Sequence, residues 1–501
     1  MSEKLNITRV SELIKIEDIN KWNNGETITI SAGTGVGKSY FIKNILYAFA
    51  EKENKKILFL IHRTNCVNQF KEEIKRDNKT DIIDIKTYQK LEHDELKKYE
   101  NNLNNYAFIV CDEFHYFLSD ASFSKTTDMS LSLILKQTES IKIFMSATGD
   151  YMRNYIHNVK DIKTIDYELP IDFKFIEQLT FFAKDETLEK FIDKAIESNY
   201  KSIFFIQGST QAYDLYKKFK KKCLFNCGKG DKHYKYVSKD KINNMLINEK
   251  FDELILITTT CMDAGVNIVD TEVKHIICVV DDVGTLIQCI GRKRIQNNDD
   301  KFKLYVKSKS NQQLGGKETQ IKKKLVKADF LKNHTVKEYI EKYPKETDYS
   351  NIVYDNVVEE NNKSTKVINE LMYYKNHLDI CDIEFMKMYG AYGYCKYLAN
   401  ILGFRNEDGY YTYRLIEENW REKDMEKYLD SIVSKRLLND EKKELIDKIG
   451  LKDARGRIQK SITLINAYLE ENKLLYIILS KTTKDKNRKS IRFWEVNKLT
   501  D

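Results

Sequence analysis

Proline is almost missing, with two residues in a chain of 501. That scarcity, beside abundant Lys, Ile and Asn, fits an AT-rich coding sequence as readily as any structural need, and no function is read from it. The nine cysteines show no paired spacing, and Cys111 and Cys278 sit inside apolar strand-like runs. This excludes a disulfide framework and points to reduced thiols. Cys223, Cys227 and His233 lie close in sequence, but a structural zinc site takes four ligands, so zinc is not expected there. No apolar run approaches the roughly 20 residues that cross a bilayer, and the opening segment, MSEKLNITRVSELIKIED, lacks the apolar stretch of a secretory signal. A cytoplasmic protein without a membrane partner is expected. Charge of one sign is also missing: 84 Lys+Arg against 76 Asp+Glu leave +8, which permits a polyanionic partner without requiring one.

What is present is a folding composition, with 42% apolar and 32% charged residues, where any disorder should be local. The length exceeds one ordinary core, so two or three domains are expected. Between residues 26 and 150, short apolar runs alternate with stretches of helical spacing. Thr27–Ile30, Ile57–Ile61, Asp81–Ile85, Phe108–Cys111 and Ile143–Met145 read as strands, and Tyr40–Glu53 and Cys66–Arg76 as helices. That alternation predicts an α/β domain with a mostly parallel sheet. A second series follows Pro170, with strands Ile203–Ile206, Leu254–Thr258 and His275–Val280 and a helix Thr210–Lys222. Beyond about residue 315 the pattern becomes helical and charged, including an aromatic-rich stretch Tyr389–Leu402, and no strand-rich segment is expected before Leu474. The domains are placed at 1–167, 168–315 and 316–501. At the end, a helix Gly456–Glu471, strands Leu475–Ser480 and Ile491–Val496, and a basic turn Lys481–Arg488 predict a helix followed by a hairpin wing.

The segment from Ala32 to Ser39, through Gly33, Thr34, Gly35, Val36, Gly37 and Lys38, follows a strand and opens a helix. Glycines there let backbone N–H groups converge on phosphates, and the helix N-terminus adds positive charge. Lys38 is placed to reach the outer phosphates and Ser39 to ligate Mg²⁺. Ala32 stands where the usual pattern has its first glycine, a position that needs only a small side chain. Asp112 and Glu113 end the strand Ala107–Cys111 and would emerge at the carboxyl edge of the sheet. Asp112 is the expected Mg²⁺ ligand, and Glu113 would orient or deprotonate the attacking water.

These residues carry a resemblance. Asp112-Glu113-Phe114-His115 resembles the DEAD/DEAH box of superfamily 2 helicases, and Ser146-Ala147-Thr148 resembles their third motif. Thr259 to Ile268, with Asp263 and Gly265, looks like motif V, and Gln288 to Arg294 looks like motif VI. The resemblance covers roughly residues 26 to 300. It implies two tandem RecA-like domains, ATP and Mg²⁺ held between them, and an arginine reaching from the second domain to the phosphates. Arg292 and Arg294 both stand for that role. The usual pattern has its last arginine three residues after the Gly-Arg arginine, and here Ile295 is at that position. Asp263, Gly265 and Gln288 are the other expected second-domain site residues, and His115, Ser146 and Thr148 would couple hydrolysis to movement. Arg63, Thr87, Ser209, Thr210 and Thr259 fall where such enzymes contact nucleic acid.

The short Gln-x-x-Gly-Arg-x-Arg form is similar to that of viral origin-binding helicases. It implies a phage or viral replication type, DNA rather than RNA as partner, replication proteins as further partners, and a bacterial or phage-infected cytoplasm; a monomer is expected. An RNA helicase and an ATP-switched origin-binding initiator that unwinds little are the alternatives. No glutamine precedes the phosphate loop, so the adenine-reading glutamine of DEAD-box enzymes has no counterpart.

Overall fold

The computed structural model describes residues 9–499, apart from 63, 100, 123, 125, 263–265, 345–351, 359–362, 452–457, 472–473 and 485–489. It separates into two compact units, residues 1–413 and 414–501. Arg63, Asp263 and Gly265 lie outside the described residues, as does the second half of the basic turn, 485–488, while Lys481 to Lys484 continue the strand before it.

The first unit holds two parallel sheets. Strands β1 (Thr27–Ala32), β2 (Ile57–Ile61), β3 (Ile83–Thr87), β4 (Phe108–Asp112), β5 (Ile141–Ser146) and β6 (Thr164–Leu169) form one in the order β3-β2-β4-β5-β1-β6. Strands β7 (Ile176–Phe182), β8 (Lys201–Ile206), β9 (Cys223–Asn226), β10 (Ile255–Thr258), β11 (Val273–Val279) and β12 (Phe302–Lys307) form the second, with β7-β12-β11-β8-β10-β9 as successive parallel neighbours. Every residue of β2 is buried, as expected of a strand covered by helices on both faces, which is why it reads ILFLI instead of alternating. This is the α/β architecture expected, two parallel sheets in tandem along the chain. In each sheet the connecting segments that leave the strand carboxyl ends carry the expected motifs.

Several elements depart from the sequence reading. β3 runs Ile83–Thr87 and not from Asp81, so Thr87 is its last residue. The helix after β8 is Ser209–Lys218, followed by a separate 3-10 turn Lys220–Lys222. The stretch Tyr389–Leu402 is not one helix: the preceding helix Glu370–Met388 stops, Tyr392 takes a left-handed φ of 58°, and a new helix runs Gly393–Ile401. A hairpin, β13 (Val353–Val358) with β14 (Lys363–Ile368), also lies in the region expected to be strand-free before Leu474. Its strands are β-branched but carry charged and amide side chains, which hid them in an apolarity-based reading.

Two long helices close the first unit. Asn311–Asn333 follows β12, and Glu370–Met388 packs along it. The second helix also reaches the first domain: Asn369, its N-cap, donates from Nδ2 to Ala121 C=O at 3.1 Å, and Tyr151 donates from its hydroxyl to Asp382 Oδ1 at 2.5 Å.

The second unit is small. Helices Ile416–Ile432, Asn439–Ile449 and Ile462–Glu471 cover the antiparallel hairpin Tyr476–Lys484/Ser490–Lys498 around a core of Leu429, Leu445, Ile465, Leu469, Ile478 and Val496. The helix-then-hairpin order is as expected, but the helix begins at Ile462 and not near Gly456.

Candidate nucleotide site

The phosphate loop leaves β1 and turns through Gly35 and Gly37, with φ of 85° and 89°. A side chain at either position would be strained, and the turn depends on that freedom. The helix opens at Lys38. Lys38 is buried, and its ammonium donates to the carbonyls of Ala32 at 2.8 Å and Gly33 at 3.0 Å. Burial pushes this ammonium down, and the carboxylates of Glu113 and Asp112 push it back up. Ser39 follows on the exposed side of the helix start.

Asp112 is the last residue of β4, beside Met145 of β5. Burial, then the neighbouring Glu113 charge, pushes the Asp112 carboxyl up to about 7. Glu113 sits in the left-handed region at φ 50°, which turns its side chain away from the path of the strand. Burial alone would raise its carboxyl. Lys38, His115 and Arg292 outweigh that and hold it below the usual carboxylate range. A carboxylate and a hydroxyl, Asp112 and Ser39, are the hard oxygen donors that Mg²⁺ prefers when substrate phosphates complete its shell. The raised Asp112 pKa marks a buried carboxyl that a cation would stabilise. No group of three or more His, Cys, Asp or Glu fit to hold a metal occurs among the described residues, so a metal here would rely on those phosphates.

The residues of the third motif join this acidic pair to the second domain. His115 Nδ1 lies 2.9 Å from Ser146 Oγ and 3.3 Å from Glu113 Oε2. Ser146 Oγ donates to Glu113 Oε2 at 3.3 Å and accepts from the Thr148 N–H at 3.0 Å. From the second domain, the buried Gln288 donates through Nε2 to Thr148 Oγ1 at 3.1 Å and to Glu113 Oε2 at 3.5 Å. One chain of hydrogen bonds thus links all five residues across the cleft.

The two arginines have different placements. Arg292 is turned back on its own helix, with Nε on the Gln288 carbonyl at 3.2 Å and one terminal nitrogen on Gln288 Oε1 at 2.9 Å. Arg294 is held through Nε by Asn267 Oδ1 at 2.7 Å. Its other face reaches the phosphate loop: a Cβ built on Gly35 would lie 3.1 Å from Arg294 Nη1. That Nη1 is buried and has no hydrogen-bond partner. Burial, and Arg292 nearby, push the guanidinium down to about 9, which leaves it charged at neutral pH.

Together these residues line a cleft of about 1000 Å³ bounded by the phosphate loop, Asp112, Glu113, Asn267 and Gly291 to Asn298. A polar cradle for phosphates, two carboxylates of opposed character and a guanidinium with one unpartnered nitrogen can bind a nucleoside triphosphate, polarise its outermost phosphate and activate water. Residues 3–150 match the family model described as "Type III restriction enzyme, res subunit". The cleft has the groups needed to bind and hydrolyse a nucleoside triphosphate, and its phosphate-loop side falls within the residues that this family model matches.

No curated protein matches this chain in sequence. Among solved structures, Mss116p bound to single-stranded RNA and AMP-PNP is similar at 17% identity, with a TM-score of 0.45, covering 58% of this chain and 68% of that one. Dbp5 of S. cerevisiae bound to RNA and ADP BeF3 is similar at 17% identity and a TM-score of 0.42, covering 56% and 78%. The DEAH/RHA helicase HrpB of Escherichia coli gives 12%, 0.39, 56% and 40%.

The other expected helicase residues are spread along strand ends. The Thr87 hydroxyl caps a helix by accepting the Lys90 N–H at 3.0 Å. Thr259 is buried, with its hydroxyl accepting the Cys261 N–H at 3.4 Å. Ser209 and Thr210 open the helix after β8, where the Thr210 hydroxyl lies 3.5 Å from His233 Nε2. Two contacts of the cleft carried no separate signal in sequence. Asn267, which holds Arg294, is one among ten residues of motif V. Thr34 matters beyond the phosphate loop, because its hydroxyl donates to the Gly291 carbonyl at 3.1 Å.

Proposed function

We propose that the protein is an ATP-driven helicase or translocase acting on DNA, in replication or recombination. The observation that carries the ATP-driven part is the buried, unpartnered Arg294 Nη1 beside Gly35, a second-domain cation poised over a first-domain phosphate loop. The choice of DNA is supported by the Gln288 to Arg294 spacing.

In this reading the phosphate-loop N–H groups and Lys38 bind the phosphates, Lys38 releasing the carbonyls of Ala32 and Gly33. Ser39 and Asp112 would hold Mg²⁺, which when bound neutralises charge on the outer phosphates. Glu113, kept ionised by Lys38, His115 and Arg292, orients and deprotonates the attacking water. Arg294 stabilises the charge that develops on the transferred phosphoryl group. Arg292 positions Gln288, and through Gln288 the state of the cleft reaches Thr148, Ser146 and His115. Closing and opening then shift the strand-end loops of one sheet relative to those of the other along a bound strand.

A comparison of ATPase stimulation by single-stranded DNA, forked DNA and RNA tests the reading. Stimulation greatest with DNA is expected. Stimulation greater with RNA would overturn the DNA assignment, and none with any strand would overturn the helicase reading.

A further inference from the structure

The carboxyl edge of the second sheet carries a cluster that the nucleotide cleft does not use. Strands β8, β10 and β9 are neighbours, so the segments leaving them emerge side by side, and the Thr259 N–H donates to the Asn226 carbonyl at 3.2 Å. Two of these segments hold Ser209, Thr210 and Thr259. The third, Cys227 to Ser238, reads CGKGDKHYKYVS.

This third segment brings rings against the helix Ser209–Lys218. His233 and Tyr236 each lie 4.5 Å from Tyr213, tilted by only 20° and 23°. Tyr213 in turn rests on the buried Phe225 at 5.9 Å, so the stack is anchored in the domain core. Asp231 accepts the His233 N–H at 2.8 Å and bonds Ser209, which fixes the segment to the start of the helix. The outermost ring, Tyr236, is 44% exposed. Ammonium groups lie beside them, Lys235 at 5.2 Å from the Tyr236 ring and Lys239 at 5.9 Å from the adjoining Tyr234 ring.

An anchored stack whose outermost ring faces solvent, with lysines beside it, suits a polyanion that carries planar groups. Bases stack on rings regardless of sequence, and ammonium groups take the adjoining phosphates. We propose that Tyr213, His233 and Tyr236 form a base-stacking platform for a single nucleic-acid strand, with Lys235 and Lys239 contacting its phosphates. The platform continues the edge occupied by Ser209, Thr210 and Thr259, and it rests on the helicase reading of the cleft. It gives the second domain a grip on bases, where hydroxyls and backbone N–H groups alone would grip only the phosphate backbone.

The test uses the full chain with labelled oligodeoxythymidylate and an abasic phosphodiester strand of equal length, both followed by fluorescence anisotropy, beside ATPase turnover. The wild type is expected to prefer the base-bearing strand by about tenfold. Tyr236→Ala should lose most of that preference and Tyr236→Phe should keep it. The double variant Lys235→Ala/Lys239→Ala should weaken both strands alike and flatten the salt dependence. ATPase without any strand should be unchanged in all three variants. A preference that survives in Tyr236→Ala, with strand-stimulated ATPase intact, overturns the platform alone. A wild type that binds no strand and is stimulated by none overturns the platform together with the helicase reading.

Discussion

Gly291 and Thr34 meet across the nucleotide cleft so closely that a Cβ on Gly291 would lie 2.1 Å from Thr34 Oγ1 and 3.0 Å from its Cγ2. Gly291 lies within the Gln288 to Arg294 segment of the second domain and Thr34 in the phosphate loop of the first. Glycine is required here by the approach of two domains and not by its own backbone, whose φ is an ordinary −67°. Gly291→Ala should therefore fold normally, hold the cleft apart and lower ATP turnover by about tenfold or more, since small misplacements of catalytic groups cost about that much. Adding Thr34→Ala removes the obstructing atoms and should restore part of the loss. Steady-state kinetics of the single and double variants check this, and a double variant no better than Gly291→Ala would contradict it.

Lys38 and Glu113 separate binding from chemistry. Lys38→Ala removes the buried ammonium and should abolish turnover together with tight nucleotide binding. Glu113→Gln keeps the shape but cannot take a proton, so it should trap bound ATP. Equilibrium binding with a fluorescent ATP analogue, followed by a chase, distinguishes the two. Near-normal ATPase in either variant would refute the site.

The Tyr151–Asp382 hydrogen bond ties the first domain to the helix Glu370–Met388, which packs along Asn311–Asn333, the helix that follows β12. Tyr151→Phe removes this bond and leaves the ring. The expected result is a several-fold rise in the KM for ATP, because closure loses one of its supports, with kcat changed less. An unchanged KM would show that the helix does not assist closure.

His275 on β11 is buried between Tyr200, 4.1 Å away, and Tyr305, 5.2 Å away. Burial, and then Lys303 and Lys194, push its imidazole from its ordinary value down to about 4. The folded state thus favours the neutral ring, while the unfolded chain takes up a proton near pH 6.5. The stability this provides is complete above that pH and is lost as the pH falls toward 4, by about 2 kcal/mol at pH 5. Urea midpoints measured at neutral and mildly acidic pH should converge more closely in His275→Phe than in the wild type.

Legibility differed by residue. The phosphate loop, the Asp112-Glu113 strand end and the Ser146 to Thr148 turn were readable because their chemistry depends on local order: strand, loop, then helix. The parallel sheets were readable for the same reason, since buried strands such as Ile57–Ile61 are apolar throughout. β6, β7, β9 and β12 went unread, being short or interrupted by charged residues. The choice between Arg292 and Arg294 was not readable, because both fit the motif and only the fold shows Arg292 folded onto Gln288 and Arg294 carried by Asn267 to Gly35. Nor was Gly291, whose partner lies 257 residues away, or the platform at Tyr213, where rings from separate segments meet only after β9 is in place.

Arg294→Ala, measured for both ATP affinity and kcat, tests the central claim most directly. Affinity within several-fold of the wild type is expected, with kcat lower by about a thousandfold, the usual contribution of an arginine supplied across a cleft, and Arg294→Lys failing to restore it. A kcat that stays near the wild-type value would contradict the assignment of hydrolysis to a site completed by the second domain.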